Sequence, residues 1–255
     1  MNTWPEDFFE FAYIPEINQQ LTALAELAEP EDWDYHHTPS IHPHPVLHNY
    51  VRYTYKKVAQ EGKISLSDDG QYACFNTGLV TENQESIFAS FEVNRQAERQ
   101  PWYFKGWFRK GRWELNKFNL LPEMAHYFDD PTCLVLDLRK PLRPNVEHII
   151  EDNKERFPDP YKTMDNYALQ TFLKGAIDNA QQRVMRSYKA AIPQYYNGHV
   201  QLLLPLCLSS PGKADLALVV ERHAQFYRGS TCLTLDMAYN NARQICKPER
   251  DWLQP

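Results

Sequence analysis

The residues best suited to binding chemistry lie near the C-terminus, between Tyr227 and Arg243. The pattern there predicts a short strand followed by a helix with Asp236 at its N-cap. The polar and planar side chains of this helix are Tyr239, Asn240, Asn241 and Arg243. A helix N-terminus offers unpaired backbone N–H groups and the positive end of the helix dipole. The passage therefore predicts recognition of a phosphate, a nucleobase or both.

A strand predicted at 102–109 interleaves aromatic and basic residues. Side chains alternate between the two faces of a strand, so Tyr103, Lys105 and Trp107 are expected on one face, together with Arg109. Such a face can stack bases at about 1–3 kcal/mol each while its cations hold the phosphates. Trp107→Ala is then expected to weaken ligand binding without unfolding the protein. The alternative is a half-buried sheet in which Lys and Arg stems cover aromatic neighbours.

Turn-forming residues interrupt an earlier strand at Asn76, Thr77 and Gly78. Asn and Gly tolerate a positive φ, and Gly permits close backbone approach, either to a ligand or to another strand. We include the three residues among the candidate ligand contacts. A β-bulge is the alternative.

A helix predicted from Asn145 to Arg156 carries His148 and Asp152 four residues apart, with Asn153 and Arg156 on an adjoining face. A His–Asp pair at this spacing can orient an imidazole for general acid–base work. The alternative is an exposed ion pair on the helix surface.

The long helix expected at about 163–191 places Asn179, Arg183 and Arg186 on one face, with Lys189 nearby. This stripe predicts a path for phosphate groups. A solvated helix face is the alternative.

Five of the nine histidines fall between His36 and His48. Imidazole binds zinc, copper and nickel. However, three prolines make this segment an extended loop, and its spacing matches no established metal-binding pattern, so we predict no metal site. The five scattered cysteines contain no C-x-x-C pair and are expected to be reduced thiols.

Charge and hydropathy exclude several classes of protein. The net charge of −6 argues against general DNA coating, although a local basic groove remains compatible with it. The acidic residues concentrate before Arg52. Neither a long apolar run nor a secretory leader is present, which predicts a cytoplasmic protein that does not enter a membrane. The motifs of P-loop ATPases, dinucleotide-binding proteins and serine hydrolases are missing.

The elements predict an α+β fold of mostly antiparallel sheets with packed helices. Residues 1–45 are expected to form an acidic lead that ends in the His/Pro loop, and residues 46–255 a domain with a possible internal boundary near 157–162. Strands are predicted at Ile87–Val93, Leu134–Leu138, Val200–Leu208, Ala214–Glu221 and Thr231–Leu235, and a hairpin tip at Arg109–Arg112.

Several segments occur in an order that resembles a known family. They are Phe75–Leu79, Tyr127–Pro131, His148–Pro158, Leu202–Leu206, Ala217–Glu221 and Leu233–Arg243. The series resembles the OST-HTH-associated domain, a domain of unknown function, over about residues 46–253. The resemblance implies an RNA-binding role, because relatives of that family accompany helix-turn-helix RNA modules. The chain would be a stand-alone version of the domain.

Three hypotheses follow. The first is a module that binds single-stranded RNA or a nucleotide through the residues above, with Asn76, Asn240 and Asn241 reading base or ribose edges. The second is a phosphoesterase that acts on a nucleotide or RNA phosphate, with His148 as the acid–base group and Asp137 or Asp236 holding a divalent metal ion. The third is a protein-interaction module that uses the acidic, aromatic N-terminus.

Overall fold

The computed structural model describes residues 4–96 and 98–247. These residues divide into two compact units. Of the described residues, the first unit contains 4–35 and those within Pro39–His126, and the second contains His36–Thr38 and 127–247. Residues 157–162, where the sequence suggested an internal boundary, lie inside the second unit.

The first unit combines three helices and a mixed sheet within the described residues. The helices are α1 (Phe8–Phe11), α2 (Ile17–Leu27) and α3 (Pro45–Gln60). The strands are β1 (Ala12–Tyr13), β2 (Ser65–Leu66), β3 (Tyr72–Val80), β4 (Ser86–Val93) and β5 (Trp102–Arg109), in the spatial order β1-β5-β4-β3-β2. The β1–β5 pair is parallel, and the other pairs are antiparallel.

Aromatic packing forms the core of the first unit. The ring of Phe11 lies 4.9 Å from that of Tyr55 and 5.1 Å from that of Phe91, measured between centroids. Phe8 packs against Tyr55 and Phe75. These side chains are almost completely buried. They come from α1, α3, β3 and β4, so the aromatic residues of the acidic lead belong to the same core as the sheet.

A β-bulge in β5 changes which side chains face this core. Ser90 pairs with Gly106, but the adjacent Phe91 pairs with Phe104, so Lys105 is the extra residue. Beyond the bulge the alternation of faces shifts by one position. Trp107 is consequently buried, and its indole N–H donates to the carbonyl of Gln20 at 2.8 Å. The prediction that Trp107 shares an accessible face with Tyr103 and Lys105 was wrong.

The second unit combines three helices with a second mixed sheet within its described residues. The helices are α4 (Val146–Asn153), α5 (Asn166–Arg186) and α6 (Leu235–Arg243). The strands are β6 (Leu142–Pro144), β7 (Ile192–Tyr196), β8 (His199–Leu206), β9 (Leu216–Arg222) and β10 (Tyr227–Leu233), in the order β6-β10-β9-β8-β7. The β6–β10 pair is parallel, and the other pairs are antiparallel.

The apolar stripe of α5 packs into the core of this second unit. Its buried residues are Leu169, Leu173, Ala176, Ile177, Ala180 and Val184, as their helical spacing predicts. They share one cluster with buried leucines and valines of β8 and β9. Asp165 caps the helix by accepting a hydrogen bond from the Ala168 N–H at 3.0 Å. The helix is shorter than expected at both ends, where it is flanked by the 3₁₀ turns Tyr161–Thr163 and Tyr188–Ala190.

The α+β fold class predicted from the sequence is confirmed, but two local predictions were wrong. Leu134–Leu138 is not a strand, because its first residue ends the 3₁₀ helix Pro131–Leu134 and the remainder is irregular. Arg109–Arg112 is not the tip of a hairpin. Here β5 ends, and the 3₁₀ helix Trp113–Lys117 follows.

The position of Trp107 leads to a stability prediction. Trp107→Ala removes a buried indole and its hydrogen bond, so we expect the first unit to lose roughly 3–5 kcal/mol of stability. Lys105→Ala, at the exposed bulge residue, provides the matched control and should change stability little. Urea denaturation followed by circular dichroism measures both. A Trp107→Ala protein as stable as the wild type would contradict the assignment of Trp107 to the core.

Candidate functional site

A cavity of about 670 Å³ lies in the second unit, beside the C-terminal half of α5. Its polar lining consists of Asn179, Gln182, Arg183, Arg186, Ser187, Cys207, Ser209 and Ser210. Its apolar lining consists of Ala176, Ala180, Pro205, Leu208 and Pro211. Small-molecule sites typically occupy about 300–1,000 Å³ and combine apolar walls with a few polar groups. The volume and the lining both fall within the range that is typical of such sites.

The structure brings the predicted phosphate stripe to this cavity. Asn179, Arg183 and Arg186 line it together, because residues three and four apart share one face of a helix. This polar stripe lies next to the buried apolar stripe of α5, because the buried residues Ala176 and Ala180 also line the cavity. The packing of α5 on the sheet thus determines which of its polar residues border the cavity.

Arg183 and Arg186 bring two positive charges to one end of the cavity, and the carboxylate of Asp215 lies against the N–H groups of Leu208 and Ser209 in its lining. Within the described part of the chain, neither Arg183 nor Arg186 forms an ion pair with a carboxylate. Arg183 is partly buried and Arg186 is exposed. The C-terminal end of a helix carries a partial charge of about −0.5. The two positive charges of the guanidinium groups are larger than this partial charge. The end of the cavity that they line is therefore electropositive.

The surrounding sequence has the same charge bias. Between Asp178 and Asp215 the chain carries four cationic residues, Arg183, Arg186, Lys189 and Lys213, and no carboxylate. The chain as a whole has a net charge of −6. This local reversal of sign is visible in the sequence, and the segment that carries it includes Ser209 and Ser210.

The loop that follows β8 is fixed by its own hydrogen bonds. Asp215 accepts hydrogen bonds from the backbone N–H groups of Leu208 at 2.7 Å and Ser209 at 2.9 Å. The hydroxyl of Tyr161 donates to the Leu208 carbonyl at 2.7 Å. These bonds hold the backbone of the loop beside the cavity. Ser209 and Ser210 line the cavity and are exposed.

The prediction that Asp236 caps the N-terminus of α6 was wrong. Thr234, not Asp236, is the N-cap residue, and its hydroxyl accepts from the Met237 N–H. The buried carboxylate of Asp236 lies in the first turn and accepts from the backbone N–H groups of His36 at 3.2 Å and His37 at 3.1 Å. A phosphate at this position would meet a carboxylate that already complements the helix dipole.

The polar side chains of α6 hold the helix within the second unit. Tyr239 and Asn240 are buried, and Arg243 is partly buried. The amide of Asn241 donates to the Gln194 side chain at 3.2 Å, and Gln194 in turn donates to Gln201. The Asn241 contact joins α6 to β7.

Asn153 and Arg156 form a structural cluster with β10. One nitrogen of the Arg156 guanidinium, Nη1, donates to the Asn153 side chain, to the Cys232 carbonyl at 2.6 Å and to the Thr231 hydroxyl. The Thr231 hydroxyl also donates to Asn153 at 2.8 Å. Since Asn153 is buried, the cluster connects the end of α4 to the sheet.

The proposed acid–base and metal-binding groups are held in separate contacts. His148 and Asp152 form an exposed pair at 3.3 Å, as their spacing predicted. Asp137 accepts hydrogen bonds from the side chain and backbone N–H of Arg139, which lower the pKa of Asp137 to about 2. None of His148, Asp137 and Asp236 lines the cavity beside α5.

Tyr103 and Lys105 belong to an aromatic and basic patch in the first unit. The Tyr103 ring lies 5.9 Å from that of Tyr13, and Arg99 lies over the Tyr13 ring. Lys105 forms an ion pair with Glu92 at 3.1 Å. The structure adds Tyr13 and Arg99, which the strand pattern did not identify because they lie outside β5.

The acidic residues at the start of the chain are partly paired with α3. Glu6 lies 2.9 Å from Lys56, and Asp7 lies 3.2 Å from Arg52. Asp7 also caps α1 by accepting from the Phe9 N–H. These contacts give the acidic lead a structural role in the first unit.

Asn76, Thr77 and Gly78 form a bulge in β3. The register with β4 shifts between Asn76 and Val80. The Thr77 hydroxyl donates to the Ile87 carbonyl at 2.7 Å, and the Asn76 side chain accepts from the Gly78 N–H at 2.9 Å. The three residues thus bond to the protein itself, as the alternative of a β-bulge predicted.

The histidine-rich segment contains a stacked pair in the first unit. The rings of His42 and His48 lie 4.4 Å apart, and Phe9 packs on His48. Burial, followed by the positive charges of His42 and Arg52, lowers the pKa of His48 to about 4. Among the described residues, no group of three or more His, Cys, Asp or Glu side chains is placed to hold a metal ion.

Gly78 provides a test of the bulge. Its φ is +73°, and a Cβ atom there would lie 2.7 Å from the Tyr50 hydroxyl oxygen. Gly62 has a φ of +66° with open space around it. We expect Gly62→Ala to cost about 1–2 kcal/mol, for the left-handed backbone alone, and Gly78→Ala to cost clearly more. Urea denaturation followed by tryptophan fluorescence measures both. Equal losses would contradict the close approach of Tyr50.

His48 leads to a pH prediction for the first unit. Because its pKa in the folded state lies below the ordinary value of 6.5, the unfolded state binds more protons below that pH. Stability should therefore fall as the pH is lowered from about 6.5 toward 4. His48→Phe removes the titrating group and should flatten this dependence between pH 6.5 and 5, as measured by urea midpoints. Identical pH profiles for the two proteins would rule out His48 as the cause.

Among the described residues, none of the helices has both the length and the apolar composition that a membrane span requires.

When the chain was compared with curated proteins and with solved structures, none matched. Residues 24–252 match the family described as Domain of unknown function (DUF3825). The resemblance to the OST-HTH-associated domain was therefore wrong. The chain belongs to the DUF3825 family.

Proposed function

We propose that this protein binds a phosphate-bearing ligand, RNA or a nucleotide, in the cavity beside α5. The observation that carries the proposal is the placement of Arg183 and Arg186 in the lining of that cavity, with no carboxylate partner among the described residues. Guanidinium groups donate paired hydrogen bonds to phosphate oxygens, and such charge-assisted bonds are about twice as strong as neutral ones.

The rest of the lining supports the same ligand class. Ser209 and Ser210 supply hydroxyl donors beside the arginines, and Asn179 and Gln182 supply amides. Amides donate and accept hydrogen bonds, which suits the edges of a base or a ribose. The apolar wall formed by the alanines and prolines of the cavity suits the faces of rings.

Binding explains the geometry better than hydrolysis does. The phosphoesterase hypothesis requires His148, Asp137 and Asp236 to act on one phosphate. Asp137 is paired with Arg139, and Asp236 is bonded to the backbone at His36 and His37. His148 is exposed beside Asp152. A ligand in the cavity contacts none of these three groups, so the proposal is restricted to binding.

Charge removal at the cavity tests the proposal. We expect Arg183→Gln and Arg186→Gln each to weaken binding of a fluorescent single-stranded RNA or nucleotide by roughly 10-fold or more. That factor corresponds to the 1.5–3 kcal/mol of a hydrogen bond to a charged group. Fluorescence anisotropy at fixed salt concentration measures the affinity, and thermal unfolding verifies that each variant is folded.

Lys174→Gln is the matched control for these variants. Lys174 is an exposed cation on the same helix, and it does not line the cavity. The control removes one positive charge from α5, so it reproduces any general effect of net charge on association. Arginine variants that bind both ligands as tightly as the Lys174→Gln protein would refute the proposed site.

A further inference from the structure

We infer that the cavity beside α5 selects a terminal phosphomonoester attached to a nucleoside over an internal phosphodiester. The inference rests on the proposed function, because it specifies the ligand of the same site. Two ligands share this chemistry: a free nucleoside monophosphate and the phosphorylated end of an RNA strand.

Charge matching is the first argument. Arg183 and Arg186 are three residues apart, and both line the cavity, so their side chains leave the helix as neighbours. A phosphomonoester carries a charge of about −1.5 to −2 at pH 7, whereas each internal phosphodiester of a strand carries about −1. Only the monoester neutralises both guanidinium groups with a single phosphate. Arg183 is partly buried, which increases the gain from neutralising its charge.

The cavity changes from apolar to cationic along the axis of α5. The positions that line the cavity run from Ala176 to Ser187, and they change in character along the helix. The small apolar residues Ala176 and Ala180 come first, and the arginines follow in the last turn. Ala176 and Arg186 are about 15 Å apart along the axis, at about 1.5 Å per residue. An elongated ligand with one charged end therefore fits this cavity better than inorganic phosphate does.

The amide groups of Asn179 and Gln182 come from positions of α5 between the alanines and the arginines that line the cavity. Asn179 follows Ala176 by one turn and precedes Arg183 by one turn, and it lines the cavity together with Gln182. Amide side chains recognise the donor and acceptor edges of bases, above all adenine. A nucleoside with its phosphate at the arginines would place polar ring or ribose atoms near these amides.

The fixed loop after β8 favours a small ligand with one defined position. Asp215 and Tyr161 already hold its backbone, so the serine hydroxyls require little ordering when a ligand binds. Preorganised donors reduce the entropic cost of binding. Ser209 and Ser210 can then contact the remaining oxygens of a terminal phosphate.

A comparison of defined probes tests the inference. One adenine-containing single-stranded RNA is prepared with a 5′-phosphate, with a 3′-phosphate and with hydroxyl groups at both ends. Both adenosine monophosphates, adenosine and inorganic phosphate complete the set. We expect at least one phosphorylated strand or monophosphate to bind 10-fold or more tightly than the hydroxyl-ended strand, adenosine and inorganic phosphate. Arg183→Gln and Arg186→Gln should abolish that advantage, and Lys174→Gln should retain it.

Two further measurements test the phosphate and the nucleoside contacts separately. The second ionisation of a phosphomonoester has a pKa of about 6, so the advantage of the phosphorylated probe should shrink as the pH falls from 7.5 to 5.5. The hydroxyl-ended strand serves as the reference for other pH effects. Asn179→Ala should weaken binding of the monophosphate but leave binding of inorganic phosphate unchanged, since only the monophosphate reaches the amide.

The outcomes distinguish this inference from the proposed function. Equal affinity for phosphorylated and hydroxyl-ended strands, with both lost in the arginine variants, would overturn the selectivity and leave phosphate binding intact. Failure of every probe to bind would overturn the proposed function itself. A monophosphate that binds as tightly as the phosphorylated strand would support the inference with a free nucleotide as the ligand, and a tighter strand would support it with an RNA end.

Discussion

The packing of α5 against the sheet of the second unit is the contact on which the candidate site depends. Six apolar residues of the helix enter the core, and burying side chains of this kind is the main stabilising contribution to folding. A helix held by one face has little freedom to rotate about its axis. Once Leu173, Ile177 and Val184 are buried, the direction of Arg183 follows from the helical period. The same interaction that stabilises the fold therefore aims the cations at the cavity.

This dependence explains which parts of the site could be predicted from the sequence. The grouping of Asn179, Arg183 and Arg186 follows from spacing within one element, so the sequence identified it. Ser209 and Ser210 reach the cavity through a loop that follows β8, and Asp215 and Tyr161 fix that loop from distant positions. No local pattern encodes such contacts. The charge bias between Asp178 and Asp215 was available in the sequence, and it points to the same region.

The errors in the strand and helix-end predictions share a physical cause. A single bulge residue, Lys105, reverses the faces of every residue after it in β5, and alternation alone does not reveal a bulge. At α6, the role of Asp236 is set by backbone N–H groups of His36 and His37, about 200 positions earlier in the chain. The polar residues of α6 resembled a binding surface because side chains that stabilise a fold and side chains that bind ligands use the same chemical groups. Only the positions of their partners distinguish the two.

The partners of the charged residues also explain how an acidic chain can present an electropositive cavity. Near the start of the chain, Glu6 and Asp7 pair with Lys56 and Arg52 on α3. In the second unit, Asp137 pairs with Arg139, and Asp236 is buried against backbone N–H groups. A charge that has a nearby partner contributes little to the field at a distance. Among the described residues, Arg183 and Arg186 have no carboxylate within ion-pair distance, so net charge is a poor guide to what this protein binds.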